Sequence, residues 1–344
     1  MDSAARFLTN PLLTPAMIMP SRPDLTVECI LNPGVFRFAG KTWLLVRVAE
    51  RPKQQQGRVS FPVMENGQIK ILDFDASDPL LDTSDSREFK YNGEGYLSTM
   101  SHLRLLCSDD GIHFSDTGRS LFGEGDLESF GIEDCRVATM PDGEFILTYT
   151  AVSNNGYGIG LRTTRDWKIF EHYGMVITPA NKDCAVFEEK INGRYVCLNR
   201  PSSIIVGGHY MWLSESPDLR FWGNHRCIAK TRAGMWDSAR IGCGAAPVKT
   251  EKGWLEIYHG SDGARYCLGA MLLDLNNPSR VLARSETPLM EPLTEYEKTG
   301  FFGEVIFSNG QLVNGDELTV YYGAADSVIC GARFSIQQIL ETLG

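Results

Sequence analysis

The sequence predicts an all-β protein, a five-bladed β-propeller with a short C-terminal helix, folded as one domain over residues 1–344. Three observations lead to this fold class. Short apolar runs of strand length alternate with turn motifs, such as Pro-Asp-Gly at 141–143. One motif recurs at a nearly constant interval. A single segment, 335–343, has apolar residues at helical spacing, namely Ile336, Ile339, Leu340 and Leu343.

The recurring motif is an apolar strand followed by Ser or Thr, then Asp, then an aromatic residue. Its aspartates are separated by 56, 52 and 56 residues, and they are Asp110, Asp166, Asp218 and Asp274. The last copy keeps only the strand and the Asp. A period of about 50 residues with several strands per unit is typical of a propeller. A unit around residues 30–75 brings the total to about five, and a two-sheet sandwich with coincidental hairpins is the alternative.

Composition limits the classes of partner. The chain has a net charge of -10, and 43% of its residues are hydrophobic. The absence of a basic footprint argues against nucleic acid, and an acidic surface disfavours anionic membranes. No run reaches the ~18 apolar residues that span a bilayer, and the first residues lack the apolar segment of a secretory signal. We therefore expect a cytoplasmic protein.

The nine cysteines are odd in number and scattered, and no Cys-x-x-Cys occurs. This pattern predicts reduced thiols, most of them buried, in a reducing compartment. Clustered Cys/His spacing is missing, so no metal site is predicted. The glycines at 156–160 lack the spacing of a nucleotide loop and indicate a strand instead.

The most informative stretch is 130–136, which contains Glu133, Asp134 and Arg136. An acidic pair beside an arginine costs stability unless the protein uses it. Alternation along an extended chain sends Glu133 and Asp134 to opposite sides. One acid can then pair with Arg136 or a backbone donor while the other faces a cleft. A carboxylic acid held in this way is a candidate for proton transfer.

The innermost strands of a propeller converge on one axis, so polar residues that are far apart in sequence meet in one funnel. Candidates embedded in such strands are Asn32, Arg47, Asp134, Arg136, Lys182, Asp183, Arg200, His259, Tyr266, Glu304 and Asp326. Four of them supply donors that match a tetrahedral oxyanion: Lys182, Arg200, His259 and Tyr266. One acid beside an anion site indicates acid-assisted displacement by the anion. For each residue alone, a structural salt bridge or hydrogen bond is the alternative.

Short motifs along nearly the whole chain occur in the order that one known family shows. They lie at 32–35, 47–52, 131–137, 181–183, 189–193, 200–201, 254, 258–260, 269–274 and 322–326. The chain thus resembles glycoside hydrolase family 130, the β-mannoside phosphorylases with some β-mannosidases. The resemblance implies a five-bladed propeller. The stretch 95–104 is closer to the branch that acts on β-1,2-linked mannosides.

The resemblance also implies roles for individual residues. Asp134 matches the catalytic acid of the family's Glu-Asp-Pro-Arg motif. In the family this acid relays its proton through the 3-hydroxyl of the mannosyl unit. Phosphate attacks the anomeric carbon from the opposite face with inversion, so phosphate is a co-substrate and no cofactor is expected. The implied phosphate-binding groups are Lys182, Arg200, His259 and Tyr266. Asn32, Arg47 and Asp326 match residues around the mannosyl unit, and Asp183 and Glu304 join them as candidate substrate-binding residues.

The sequence leaves several alternatives open. Cys135 replaces the proline of the family motif, which predicts a looser loop because proline would fix the backbone there. Glu304 or Glu256 in the funnel would favour an inverting β-1,2-mannosidase, which needs a second carboxyl group as base. A non-catalytic carbohydrate-binding propeller is a third reading. Segments 51–60 and 76–100 are the predicted specificity elements, and a homo-oligomer is left open.

Overall fold

The computed structural model describes residues 3–202 and 205–344, and strands dominate it. Its two α-helices are short: α1 is Glu295–Lys298 and α2 is Ile336–Thr342. Single 3-10 turns lie at Pro15–Met17 and Asp126–Glu128. Helix α2 confirms the predicted C-terminal helix, and the Ser335 side chain caps it by accepting the Gln338 backbone N–H. Among the described residues, no helix has the length and hydropathy that a membrane crossing requires.

The strands in chain order are as follows. The first ten are β1 (Ala5–Arg6), β2 (Leu25–Phe38), β3 (Lys41–Pro52), β4 (Arg58–Glu65), β5 (Gln68–Asp75), β6 (Leu81–Asp82), β7 (Glu88–Tyr91), β8 (Glu94–Leu97), β9 (Met100–Ser108) and β10 (Ser115–Leu121). The next eight are β11 (Ile132–Thr139), β12 (Phe145–Ser153), β13 (Gly156–Thr164), β14 (Glu171–Ile177), β15 (Asn181–Val186), β16 (Tyr195–Pro201), β17 (Met211–Ser216) and β18 (Gly223–Ala229). The last eight are β19 (Arg240–Cys243), β20 (Val248–Lys249), β21 (Trp254–Ser261), β22 (Tyr266–Leu273), β23 (Val281–Arg284), β24 (Ile306–Asn314), β25 (Glu317–Ala324) and β26 (Val328–Ser335).

These strands form five main antiparallel sheets, numbered 1 to 5 along the chain. Sheet 1 has the order β2-β3-β9-β10, sheet 2 is β11 to β14, and sheet 3 is β15 to β18. Sheet 4 has the order β19-β21-β22-β23, with β20 also paired to β21, and sheet 5 has the order β24-β25-β26-β1. The all-β prediction is therefore confirmed. Two small sheets, β4-β5 and β6-β7-β8, are inserted between the second and third strands of sheet 1.

Five apolar cores lie between the sheets. Separate clusters of buried side chains join sheet 1 to sheet 2, sheet 2 to sheet 3, sheet 3 to sheet 4, and sheet 4 to sheet 5. A further cluster joins sheet 5 to sheet 1, with Tyr321 and Ile329 packed among Ile30 and Val46. Each sheet thus buries both faces against neighbouring sheets, which accounts for strands that are apolar on both sides.

The repeated Asp motif forms the same turn in four sheets. In sheet 1, Asp110 Oδ1 accepts the backbone N–H groups of Ile112 and His113. Asp166, Asp218 and Asp274 make the equivalent pair of bonds in sheets 2, 3 and 4. The motif is therefore the Asp-stabilised turn between the third and fourth strands of a sheet.

The prediction that residues 30–75 form a separate unit is wrong. Strands β2 and β3 belong to the same sheet as the Asp110 turn, because β3 pairs with β9 across the inserted hairpins. The fifth sheet is C-terminal instead. It lacks the Asp turn because its fourth strand, β1, comes from the other end of the chain and pairs with β26.

A buried carboxylate attaches this N-terminal strand. Glu297 is inaccessible to solvent and accepts hydrogen bonds from Arg6 Nε at 2.7 Å and from the Tyr322 hydroxyl at 2.8 Å. It also accepts the backbone N–H groups of Leu293 and Thr294. Its four donors come from three separate parts of the chain, so its side chain links β1 to sheet 5.

We expect Glu297→Ala to lower the free energy of unfolding by about 3–5 kcal/mol, because it removes the buried acceptor of Arg6, of the Tyr322 hydroxyl and of two backbone N–H groups. Urea denaturation measures the change. Arg165→Ala is the control, since it removes an exposed ion pair with Asp142 and should leave the denaturation midpoint unchanged. A Glu297→Ala protein with the wild-type midpoint would contradict this role.

One-residue bulges shape the innermost strands. In β2, β11 and β15 the register slips by one residue between Leu31 and Gly34, Glu133 and Arg136, and Lys182 and Ala185. Each bulge has an Asn or Asp in the left-handed region: Asn32 at φ 35°, Asp134 at φ 50° and Asp183 at φ 52°. Asn and Asp tolerate this conformation better than other non-glycine residues. The three bulges re-aim these side chains away from the positions that plain alternation would give them.

Candidate active site

A cavity of about 590 Å³ opens where the bulged strands meet. Sequence analysis named eight of its lining residues: Asn32, Arg47, Asp134, Lys182, Asp183, Arg200, Tyr266 and Asp326. The others are Leu31, Arg87, Tyr157, Ser202, His209, Arg240, Gly263, Ala264, Phe302, Gly303, Val305 and Phe307. The lining comes from all five sheets and from the connections between them.

Asp134 lies in the wall of this cavity with its carboxylate held by neutral and cationic donors. Oδ1 accepts a hydrogen bond from Asn32 Nδ2 at 3.0 Å. Arg47 Nη1 lies 3.2 Å from Oδ1 and 3.3 Å from Oδ2. Burial acts to raise the pKa of Asp134, but the positive charges of Arg47, Lys182 and Arg136 outweigh it and leave the pKa below its usual range.

The expectation that Glu133 and Asp134 point to opposite sides is wrong. Both carboxylates contact the same guanidinium, because Arg47 Nη2 donates to Glu133 Oε1 at 2.8 Å while Nη1 faces Asp134. The bulge after Glu133 breaks the alternation on which the expectation relied. Arg136 does not pair with either carboxylate; its Nη1 donates to the Asp134 carbonyl oxygen at 2.8 Å.

Asp183 is the centre of a buried ion network. Its Oδ2 accepts from Arg200 Nε at 2.6 Å, and its Oδ1 accepts from Arg136 Nη2 at 3.2 Å. His259 Nε2 lies 3.3 Å from Oδ2, and the absence of a side chain at Gly242 leaves the space in which they meet. Burial raises the pKa of Asp183, but Arg200, His259 and Arg136 together hold it well below its usual range. Asp183 thus fixes the direction of the Arg200 side chain.

His259 and Glu304 do not line the cavity. The His259 ring is fully buried behind Asp183, and burial lowers its pKa. Glu304 is flanked by two lining residues, Gly303 and Val305, and its backbone carbonyl accepts the Tyr266 N–H at 2.9 Å. Glu256 is also outside the cavity: it is inaccessible to solvent, accepts the Gly244 N–H at 2.8 Å, and has its pKa raised well above the usual range by burial.

A cationic side of the cavity faces Asp134. Lys182 and Arg200 are directly opposite each other on β15 and β16. Arg200 Nη1 donates to Ser202 Oγ at 3.1 Å and lies 3.2 Å from His209 Nδ1. Arg240 Nη1 donates to the Tyr266 hydroxyl at 2.6 Å. Lys182, Arg200 and Arg240 place three cationic groups on this side, and Glu133 and Asp183 contact the first two of them. The cations outnumber these carboxylates, so this side suits an anion.

Asp326 is the second acidic group that faces the open space. It lies in the turn after β25 at φ 48°. Burial raises its pKa to about 6, against the opposing effect of Arg47, and the charge of Asp134 adds to the rise. The pKa of Asp134 is therefore lowered, whereas that of Asp326 is raised. Opposite shifts of this kind are seen where two carboxyl groups have different roles in acid–base chemistry.

Sequence reasoning missed several lining residues. Arg240 begins β19, the innermost strand of sheet 4, but that strand has only four residues and gave no recognisable pattern. His209 was missed for a related reason, since it meets Arg240 only through an isolated bridge. Arg87 lies in the predicted specificity segment 76–100, and its guanidinium is 5.5 Å from the Phe302 ring centroid at the cavity. Segment 51–60 adds no residue to the lining.

Cys135 takes the same place in its bulge that Pro33 takes in the bulge of β2. It is fully buried, and its neighbours Glu133 and Arg136 pair with β12 on either side. A proline is tolerated where a bulge removes the need for a ladder hydrogen bond, so either residue fits. The bulge at residues 133–136 is accordingly held by the pairing of β11 with β12 and by the contacts of Asp134.

The chain is similar to named proteins over nearly its whole length. The glycoside hydrolase 130 family model, described as β-1,4-mannooligosaccharide phosphorylase, matches residues 89–344. The chain is 40% identical to a β-1,2-mannobiose phosphorylase of Listeria innocua over 98% of each protein. It is 39% identical to a 1,2-β-oligomannan phosphorylase of a Thermoanaerobacter species, over 71% of this chain and 82% of that protein.

A solved structure extends the likeness to three dimensions. The Listeria innocua β-1,2-mannobiose phosphorylase, solved in complex with β-1,2-mannobiose, superposes with a TM-score of 0.92 at 39% identity, covering 99% of both chains. The sequence identity, its coverage and the shared fold lead to one assignment. The chain belongs to glycoside hydrolase family 130.

Proposed function

We propose that this protein is an inverting phosphorylase that converts β-1,2-linked mannosides and phosphate into α-mannose 1-phosphate and a shortened acceptor. The observation that carries the proposal is the Lys182–Arg200 pair, two cations set opposite each other on the wall of a cavity that also holds Asp134. The names of the most similar relatives support the mannoside and its linkage.

In this mechanism Lys182, Arg200 and Tyr266 bind phosphate on the cationic side of the cavity. Arg240, which sequence analysis did not name, is a fourth phosphate-binding group. Asn32, Arg47 and Asp326 surround the mannosyl unit. A phosphate oxygen forms a bond to the anomeric carbon while the glycosidic C–O bond breaks on the opposite face. Asp134 supplies the proton for the leaving oxygen, by way of the mannosyl 3-hydroxyl. Asp183 and His259 are assigned positioning roles, since the Asp183 carboxylate contacts Arg200 and His259. Glu304, which lies outside the lining, is given no role in the reaction.

The lowered pKa of Asp134 fits an acid that gains its proton only when substrates bind. Lys182 is one of the charges that keep the carboxylate ionised. A phosphate anion at Lys182 and Arg200 offsets those charges and so raises the pKa of Asp134. Phosphate would then act both as nucleophile and as the group that prepares the acid.

Product analysis on β-1,2-mannobiose, in phosphate buffer and in phosphate-free buffer, tests the proposal. We expect α-mannose 1-phosphate and mannose in equal amounts with phosphate, and no turnover without it. Equal rates of free mannose formation in both buffers would establish the hydrolase instead. The burial of Glu256 and the position of Glu304 outside the lining speak against hydrolysis by the two acids that sequence analysis named as a possible water-activating base.

The pKa of Asp326 predicts that activity falls at acidic pH. Asp326 is neutral below its pKa of about 6 and ionised above it, and the ionised form accepts the stronger, charge-assisted hydrogen bonds from sugar hydroxyls. We expect kcat/KM for mannobiose to fall as the pH drops through about 6. Asp326→Asn should remove this dependence and lower kcat/KM at neutral pH about tenfold. A wild-type profile that stays flat from pH 5 to pH 7 would contradict the assignment.

The five sheets are, in this proposal, the blades of one five-bladed propeller that spans the chain as a single domain. The apolar cores support it, because they join the sheets in sequence and then join sheet 5 back to sheet 1. Pairing of β1 with β26 would close the ring between the two ends of the chain. Phosphorolysis needs inorganic phosphate and yields a charged sugar phosphate, which favours a cytoplasmic location.

A further inference from the structure

Glu133 lies directly beside the proposed acid but is not part of the cavity lining. Only 7% of its surface is exposed. Its carboxylate is held between two cations: Oε1 accepts from Arg47 Nη2 at 2.8 Å, and Oε2 lies 3.5 Å from Lys182 Nζ. Glu133 therefore connects a residue on the mannosyl side of the cavity with one on the phosphate side.

The geometry of Arg47 shows a competition between two carboxylates. Its Nη2 makes the shorter bond, to Glu133, while its Nη1 is 3.2 and 3.3 Å from the two oxygens of Asp134. Its Nε donates to Ser101 Oγ at 2.9 Å, so all three nitrogens are engaged. A guanidinium that is free to do so forms a strong bidentate pair with one carboxylate. Glu133 and Ser101 prevent Arg47 from forming that pair with Asp134.

We propose that Glu133 is a positioning residue that shares the guanidinium of Arg47 with Asp134 and thereby keeps the Asp134 carboxyl able to take up the proton that it delivers. The proposal rests on the function proposed above. It assigns the first acid of the Glu-Asp pair a defined part in the reaction, although this acid is not in the cavity lining.

The charges around Asp134 decide the sign of the effect. The groups that face it from the elements packed against it are Asn32 on β2, Arg47 on β3, Arg136 on β11, Lys182 on β15 and Asp326 after β25. Three of these are cations that favour the ionised form. Arg136 is already engaged with Asp183, whereas Arg47 and Lys182 are the two that Glu133 offsets. Removing the charge of Glu133 therefore stabilises ionised Asp134 and lowers its pKa, so a smaller fraction of Asp134 carries the proton that it must deliver.

Glu133→Gln tests this inference, because it removes the charge and keeps an oxygen that can accept from Arg47. We expect the alkaline limb of the kcat profile, measured at saturating phosphate and mannobiose, to move to lower pH by about one unit. At pH 8 kcat should fall about tenfold, and at the acidic end it should equal that of the wild type. The KM for phosphate should not rise, because a negative charge near Lys182 has been removed.

Two further variants separate charge from shape. Glu133→Asp keeps the charge and should hold its alkaline limb close to that of the wild type, even if Glu133→Gln fails to fold. Glu256→Gln alters a buried carboxyl outside the cavity and keeps an oxygen that can accept the Gly244 N–H, so it should leave the pH profile unchanged. A uniform loss across the pH range in Glu133→Gln, or the same shift in Glu133→Asp, would overturn the inference. Wild-type protein without phosphate-dependent turnover would instead overturn the proposed function.

Discussion

Asp134→Asn is expected to abolish phosphorolysis of β-1,2-mannobiose, with a fall in kcat of about 10³- to 10⁴-fold. General acid catalysis contributes rate factors of up to this size, and Asp134 is the group that protonates the leaving oxygen in the proposed mechanism. The variant keeps the shape of the side chain. Its backbone should also be retained, since Asn32 already occupies the matching bulge in β2 at φ 35°. Initial-rate assays with saturating phosphate measure the effect.

Binding and stability controls make this result specific. Titration calorimetry should show that Asp134→Asn still binds mannobiose, because Arg47, Asp326 and Asn32 remain. Asp237→Asn is the matched control: Asp237 is fully buried and paired with Arg232 and Arg284, but it lies outside the cavity. Its turnover per folded molecule should stay near that of the wild type. Substantial activity in Asp134→Asn would remove Asp134 from the role of acid, and a wild type that binds without turnover would indicate a carbohydrate-binding protein.

Lys182→Met is expected to raise the KM for phosphate about 10- to 100-fold while changing the KM for mannobiose little. Hydrogen bonds to charged groups contribute about 1.5–3 kcal/mol, which corresponds to that range. Lys182 is the suitable cation to remove, because Arg200 also neutralises buried Asp183 and its loss would destabilise the fold. Rates measured over a matrix of both substrate concentrations separate the two KM values.

Lys190→Met provides a matched control for this variant. Lys190 Nζ lies 4.3 Å from the Tyr195 ring centroid, as Lys182 Nζ lies 4.9 Å from that of Tyr157, but Lys190 is remote from the cavity lining. Its substitution should leave both KM values unchanged. If Lys182→Met instead raised the KM for mannobiose alone, the cationic side would be the sugar site, and the orientation proposed for the reaction would be reversed.

Local patterns in the sequence were sufficient for much of the fold. The Asp turns were visible because each one uses a short motif, in which a side-chain oxygen accepts two N–H groups a few residues further on. Helix α2 was visible because its apolar spacing and its Ser335 cap are contiguous. The fifth sheet was misplaced because its members, β1 and β24 to β26, are joined by pairing between chain ends and carry no Asp turn.

The same distinction between local patterns and long-range contacts applies to the candidate site. Lys182, Arg200 and Asp134 could be named from their residue types within strand-like runs and from the family resemblance. The orientation of Glu133 could not, since a one-residue bulge reverses the alternation that sequence reasoning assumes. His259 was expected to face the anion and is instead buried behind Asp183, a placement that depends on the space left at Gly242 on another strand.

The β-rich architecture, the acid–base and cationic residue types, and the likeness to a family could be predicted, because propensities, turn chemistry and motifs are properties of contiguous residues. The sharing of partners among charges could not be predicted and became visible in the folded chain. Arg47 divides its guanidinium between Glu133 and Asp134, and Lys182 faces Arg200, through pairings between strands distant in the chain. Electrostatic interactions depend on distance in space, so the order of residues cannot specify them.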